Sequence, residues 1–546
     1  MKRTTKLISV LTLLTVVVSS SSLRGQTTDP IRTVALSFNG PAPGSSSGNP
    51  FADFGLPSIN DLGQTAFFAE VGLPSTEGLF SEGTPTGLSQ LFEEGEFVPN
   101  SGGTQTLDSF LNVTQFSNSG QTLNNVGGRL SGLSPPRLLL RASSSSDLDV
   151  AVDIFGSISG ASGPSIITPT SQNLRLNDSG EVSFTVLGPS SSAGVAIFSE
   201  TGGQGFRQVV GENDILQASQ VAGLSQDILL TTAVNLVGLN DASQNLFSST
   251  FSTGTAIENG LFLEDAGVFS VAATTGVNVE PGISLDRISD ATLNNQGQTV
   301  FQAGLGGATV SFANDSALVG NVGGSLEILV REGDAAPGTT GFFAGFGPGS
   351  SFAEELPVLG NGGDTVFVSA ISGAGGFGFE TGLFRVDELG TVELIAQEGV
   401  PVSGLPAGTV IDNFSAPSIN ENGQVAFQAI LDGSGVTFAN DVAIFAEDIN
   451  GNLQLIAREG DLLNVSDDPN APDFRVIDDL GFFGGSGSGD GTSSGFNELG
   501  QVAFHADLDV GGGIFVSSLV VAVPEPSSFF VLLFGASVCL TRRSRR

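Results

Sequence analysis

Carboxylates are the only plentiful side chains in this sequence that could do chemistry. The chain holds 56 acidic and 19 basic residues, one His, one Cys and no Tyr or Trp. Cys539 lies in an apolar terminal run, and both lysines, Lys2 and Lys6, sit at the start. The body between therefore has no Cys, Lys or Tyr, and a Ser-His-Asp triad would have to use His505. That residue lies in an alternating segment, Gln501 to Leu508, on the face opposite Phe504, which predicts an inter-sheet or surface histidine. Gly485-Ser486-Gly487-Ser488-Gly489 spells a nucleophile-elbow motif inside a Gly/Ser tract without the strand-turn-helix setting, which predicts a flexible loop. No phosphate loop or dinucleotide fingerprint has a βα setting.

Carboxylates leave two chemistries open. A glycosidase needs two of them on either side of a sugar, about 5 Å or about 6.5–9.5 Å apart. Calcium needs several oxygens around one point. Asp448, Asn450, Asn452 and Glu459 have the spacing of a calcium loop, but Leu453 stands where such loops need Gly, and Asn450-Gly451 reads better as a hairpin turn. Asp467, Asp468, Asn470 and Asp473 form a second oxygen-rich loop and are the metal candidates. Glu94, Glu212, Glu332, Glu398 and Glu459 recur at similar places and would form a ring at one level in a closed fold. No cofactor other than calcium is expected.

The elements that would position these groups repeat. Asn60-x-x-Gly63-x-x-x-Phe67 recurs as Asn177, Gly180 and Phe184, as Asn294, Gly297 and Phe301, as Asn420, Gly423 and Phe427, and as Asn497, Gly500 and Phe504. Altered copies end in Phe247, with Ser243 for Gly, and in Phe367, with Gly360 for Asn; a decayed copy surrounds Gly120. Asn tolerates left-handed backbone and Gly adopts it freely, so Asn-x-x-Gly is a tight turn feeding a strand. A second strand follows, such as Ala443-Ile444-Phe445, then a third, such as Leu453 to Ala457, and a loop leads to a fourth, such as Val410 to Phe414. Four short strands per unit, at spacings of roughly 55 to 75 residues, predict an all-β propeller of about eight four-stranded blades, with seven as the other count. Thr33 to Phe38 and Phe51 to Phe54 are expected to complete the blade begun by the last strands. The series resembles the tandem-repeat exported proteins named for an NxxGxxAF motif with variable C-terminal anchors. That resemblance implies a class and no reaction.

The ends carry addresses. Lys2, Arg3 and Lys6 precede an apolar run, Leu7 to Val18, and then serines, the order of a secretory signal over residues 1–25. The body is expected at 26–522. In 523–546, Pro524-Glu525-Pro526 precedes an apolar run and Arg542 to Arg546. This tail resembles the PEP-CTERM sorting signal of Gram-negative envelope proteins. The resemblance implies an exosortase-type processing enzyme as partner and a link to exopolysaccharide. A helix at each end is expected, the C-terminal one a short membrane anchor retained until processing.

The terminal segments contain eight basic residues and Glu525, which leaves the body 11 basic and 55 acidic residues. Such a surface repels nucleic acid and anionic headgroups. The expectation is an exported, acidic, non-enzymatic structural or interaction protein at the cell surface or in the extracellular matrix. The alternatives are a propeller glycosidase or polysaccharide lyase, and a calcium-dependent adhesin.

Overall fold

The computed structural model describes residues 30–518 apart from short internal stretches, the longer being 98–104, 131–136, 154–165, 168–173, 188–193, 347–355 and 374–378. Both terminal signals, with Pro524, Glu525 and Pro526, lie outside the described residues, as does Asp467. The described chain is all-β, and no described helix is long and apolar enough to cross a membrane.

The strands form eight sheets arranged as a propeller. The seventh shows the pattern. Thr409–Ile419 runs into the turn at Asn420, and Val425–Gly433 leaves it. Val442–Glu447 and Leu453–Arg458 complete an antiparallel sheet. The strand read from sequence as the fourth of one unit is thus the first of the next. It must pair with the strand after the turn, because Asn-x-x-Gly folds the two into a hairpin.

The turns are alike because their side chains replace missing backbone partners. Asn60 Oδ1 accepts the N–H groups of Leu62 and Gln64 at 3.1 and 3.0 Å. Gly63 N–H donates to the Asn60 carbonyl at 2.9 Å, with Gly63 at φ 73°. Ser243 adopts φ 63° where the other copies use Gly.

After the turn at Asn420 both strand faces are buried. Val425, Phe427, Ala429 and Leu431 pack with Phe414 and Phe445, whereas Ala426 belongs to the core shared with the eighth sheet. The Phe face packs against the sixth sheet, through Val366, Val368 and Leu383, and the Ala face against the eighth. The Phe meets a partner from the next strand in six sheets, as in Phe427–Phe445 at 5.5 Å and Phe67–Phe80 at 6.1 Å. Such contacts add about 0.5–1.5 kcal/mol beyond area burial.

Closure joins the two ends. Ile31–Leu36 pairs antiparallel with Gly512–Ser517 and completes the eighth sheet. Phe51–Phe54, expected in that same blade, instead pairs with Thr65–Val71 and opens the first sheet. The hairpin rule applies here too, since Phe51–Phe54 precedes the turn at Asn60.

Candidate functional site at the propeller axis

The turns form a closed ring. Asn60 Nδ2 donates to the Ser117 carbonyl of the next sheet, Asn177 to Asn240, Asn240 to Asn294, Asn294 to Gly360 and Asn420 to Asn497. Asn497 returns to Asn60 at 2.8 Å. The steps from Ser117 and Gly360 lack the Asn donor and are bridged by the following residues. Asn118 N–H donates to Asp178 at 2.8 Å, and Asn361 Nδ2 to Glu421 at 3.2 Å.

Those following residues make a second ring. Asp61, Asn118, Asp178 and Asp241 each donate a backbone N–H to the side-chain oxygen of the next turn. Asn295 and Glu421 do the same, and Glu498 completes the circle on Asp61 at 3.0 Å. Five carboxylates therefore converge on the axis. Burial, then the charges of Asp61, Glu421 and Asp178, push Glu498 up to about 8. Asp241 is also raised, chiefly by burial.

A loop from the eighth sheet crosses the axis. Phe474–Phe482 leads into it and Val502–Leu508 follows it. Ser494 carbonyl accepts from Ile59, Gly491 carbonyl from Leu176 and Asp490 carbonyl from Leu239. Gly485 N–H donates to Pro417, and Ser493 Oγ accepts from Phe116 N–H at 2.5 Å. Gly489 lies against Asn361 and Asn294, where a Cβ would be 2.7 Å from Asn361 Oδ1 and 3.7 Å from Asn294 Cα. The loop thus touches all seven other sheets. Its Gly and Ser residues, read from sequence as a flexible loop, are a plug, because small residues alone fit between converging strands.

Beside the plug lies an axial cavity of about 580 Å³, lined by Arg175, Gln115, Thr292, Ser415, Gln428 and Asp490 among others. Arg175 is buried and donates to the Val237 and Leu174 carbonyls. Burial lowers its pKa, while Asp490 opposes the shift. Asp490 accepts from Ser486 Oγ at 2.8 Å and Thr492 N–H at 3.0 Å. It is the one carboxylate among the described lining residues.

The model of a family of unknown function, DUF7453, matches residues 74–530. The chain belongs to that family. No curated protein matches it. Among solved structures, this DUF7453 chain is similar to the Dos1 propeller at TM-score 0.37 and 9% identity, over 90% of this chain and 96% of that one. A puromycin-hydrolyzing peptidase of Mycobacterium tuberculosis matches at TM-score 0.33 and 11% identity, over 87% of this chain and 60% of the peptidase. The polysaccharide lyase Uly1 matches at TM-score 0.31 and 8% identity, over 74% and 88%.

Other candidates of the DUF7453 chain fall away from the axis. Asp448 Oδ1 accepts the N–H groups of Asn450 and Asn452 at 2.8 and 3.0 Å, which makes the Asn450-Gly451 segment a hairpin turn. In the other acidic loop, Asp468 is turned onto Asn470 and Asp473 onto Arg475, so its described members do not converge. The repeated glutamates close hairpins locally. Glu212, Glu398 and Glu459 each accept the N–H of a residue 17 positions earlier, and Glu332 accepts from Ser316 Oγ. Each directly follows the last strand of its sheet, outside the ring of turns at the axis. His505 lies between sheets, its ring 6.3 Å from Phe54.

Sequence reasoning missed a set of inter-sheet clamps. Arg32–Glu82, Arg141–Glu200, Arg207–Glu264 and Arg385–Glu447 pair across adjacent sheets at 2.6–3.0 Å. Phe-x-Glu in Phe80 to Glu82, Phe198 to Glu200, Phe262 to Glu264 and Phe445 to Glu447 is the signal that could have found them. Burial, opposed by Arg385, brings Glu447 to about 7.

Proposed function

We propose that this chain is an exported, acidic, non-enzymatic propeller, sorted by its tail to the cell surface or matrix and associated there with exopolysaccharide. Taking each sheet as one blade, the toroid has eight. The observation that carries the reading is the occupied axis. Where a polysaccharide-cleaving propeller would open onto substrate, the chain's own loop crosses; the adjoining cavity offers one carboxylate, already bonded within the plug, and the five carboxylates of the turn ring each accept a hydrogen bond from the neighbouring turn. Two carboxyls at glycosidase separation are needed for the enzymatic alternative. Calcium-dependent adhesion draws no support from the described acidic loop.

The outer surface supplies a means of interaction. Phe312 and Phe438 are 94% and 97% exposed on equivalent loops. Asn314 and Asn440 brace those loops, each Oδ1 accepting from a residue three positions earlier at 2.7 Å. Rigid exposed rings suit stacking on sugar faces.

Two measurements test the proposal. Purified mature protein is incubated with exopolysaccharide from the producing cells, and binding, reducing ends and unsaturated products are assayed. Binding that weakens in the Phe312→Ala, Phe438→Ala double variant, without cleavage, is expected; released oligosaccharide would overturn the non-enzymatic reading. Alanines at Pro524, Glu525 and Pro526 are expected to hold the protein in the inner-membrane fraction. Unchanged surface delivery would refute the sorting role.

A further inference from the structure

We propose that Asp53, His505 and Asp507 form a divalent transition-metal site, best suited to zinc, at the junction of the first and eighth sheets. Their ligand atoms all lie within 4.8 Å of one another. Asp53 comes from the strand that opens the first sheet, and His505 and Asp507 share one face of Val502–Leu508 in the eighth. The N-terminal and C-terminal ends of the ring meet there.

Three observations converge. First, His505 Nε2 is buried and makes no hydrogen bond, while lying 3.5 Å from Asp507 Oδ1. Two ligands held about 2.0–2.2 Å from one tetrahedral ion are themselves about 3.3–3.6 Å apart. The observed separation is therefore that of co-ligands. A buried imidazole nitrogen without a partner is costly unless something occupies its lone pair.

Second, the space between these atoms is kept by Gly512. A Cβ there would lie 3.0 Å from Asp507 Oδ1 and 3.5 Å from His505 Nε2. Gly512 is not among the glycines with left-handed backbone, so its lack of a side chain, not its conformational freedom, distinguishes the position.

Third, no arginine offsets the charge. Asp479 stands directly across the strand pair from Asp507. Among the described residues no Arg lies within ion-pair distance of Asp53, Asp479 or Asp507. At four other sheet junctions the acidic residue, Glu82, Glu200, Glu264 or Glu447, is met by Arg. An imidazole with carboxylates selects zinc-like ions over calcium, which prefers oxygen alone. The site needs no other donor from the protein if water fills the fourth position. Asp53 is exposed, which leaves an entry path.

The test uses the mature protein, stripped with a chelator and titrated with zinc by calorimetry in millimolar calcium, which saturates diffuse carboxylate binding. One zinc per chain and a raised Tm are expected. Cobalt in its place should give the intense visible absorption of a tetrahedral centre. His505→Ala should abolish uptake, and Asp53→Asn should weaken it at least tenfold. Absence of zinc uptake by the parent protein would overturn the site. So would unchanged affinity in folded His505→Ala. If that variant does not fold, Asp53→Asn, an exposed change, decides the matter alone, because parental affinity in it refutes the site.

Discussion

Asn124 stands where other copies of the repeat carry Phe, and it is the residue at which the repeat is least well served. It is fully buried, and neither its Oδ1 nor its Nδ2 finds a hydrogen-bond partner. A buried unsatisfied polar group costs about 1–3 kcal/mol. Asn124→Leu keeps the volume and removes the polar atoms, so chemical denaturation should show a gain of about 1–2 kcal/mol. The opposite is expected at Gly63. A Cβ there would meet Gln501 Oε1 at 2.5 Å, and the residue sits at φ 73°. Gln501 can move, but the left-handed backbone cannot be relieved, so Gly63→Ala should lower stability by about 1–2 kcal/mol. The turn residues were legible in the sequence because their jobs are local. Asn60 bonds its own turn, and Gly63 supplies the conformation. The partner Asn60 reaches in the next sheet was not legible, since 57 residues separate Asn60 from Ser117.

The axial loop raises a similar point for elements. Composition predicted mobility at Gly485 to Gly489, and the same composition produces the plug. Gly491 takes φ 76°, and a Cβ on it would lie 2.7 Å from the Leu239 carbonyl. Gly491→Val should therefore break the hydrogen bond from Leu176 to the Gly491 carbonyl and strain the backbone. A loss of about 2–3 kcal/mol is expected, with new protease cleavage in the loop as the direct readout. The strands themselves were readable from alternation, including Val425, Phe427, Ala429 and Leu431 on one face. Their assignment to sheets was not. Phe51–Phe54 and Val410 to Phe414 each belong with the strand beyond the next turn, and only the pairing across that turn reveals it.

Taken whole, the molecule gathers charge on itself, and this gives it a pH dependence. Glu447 and Glu498 titrate at about 7 and about 8, against 4.5 for the ordinary group. Both are raised, so the folded state holds more protons than the unfolded state between those values. Their contribution is complete below about pH 4.5 and is lost as pH rises through 7 and 8. Each unit of displacement corresponds to about 1.4 kcal/mol, reduced where solvent screens the group. Thermal melts should therefore show lower Tm at pH 8.5 than near neutrality, and Glu498→Gln should flatten that limb, because the amide oxygen can still accept the Glu421 N–H without carrying charge. A slope unaltered in that variant would remove Glu498 as its source. The sequence by itself determined the repeating unit, the all-β class and the propeller arrangement, since turn chemistry and two-residue alternation act over a few residues. The tertiary structure alone decided which atoms converge. The ring of second-turn residues, the plugged axis and the meeting of Asp53 with His505 join segments as far as 452 positions apart. Such encounters are set by how the ring closes, a property of packing between sheets that no local pattern encodes.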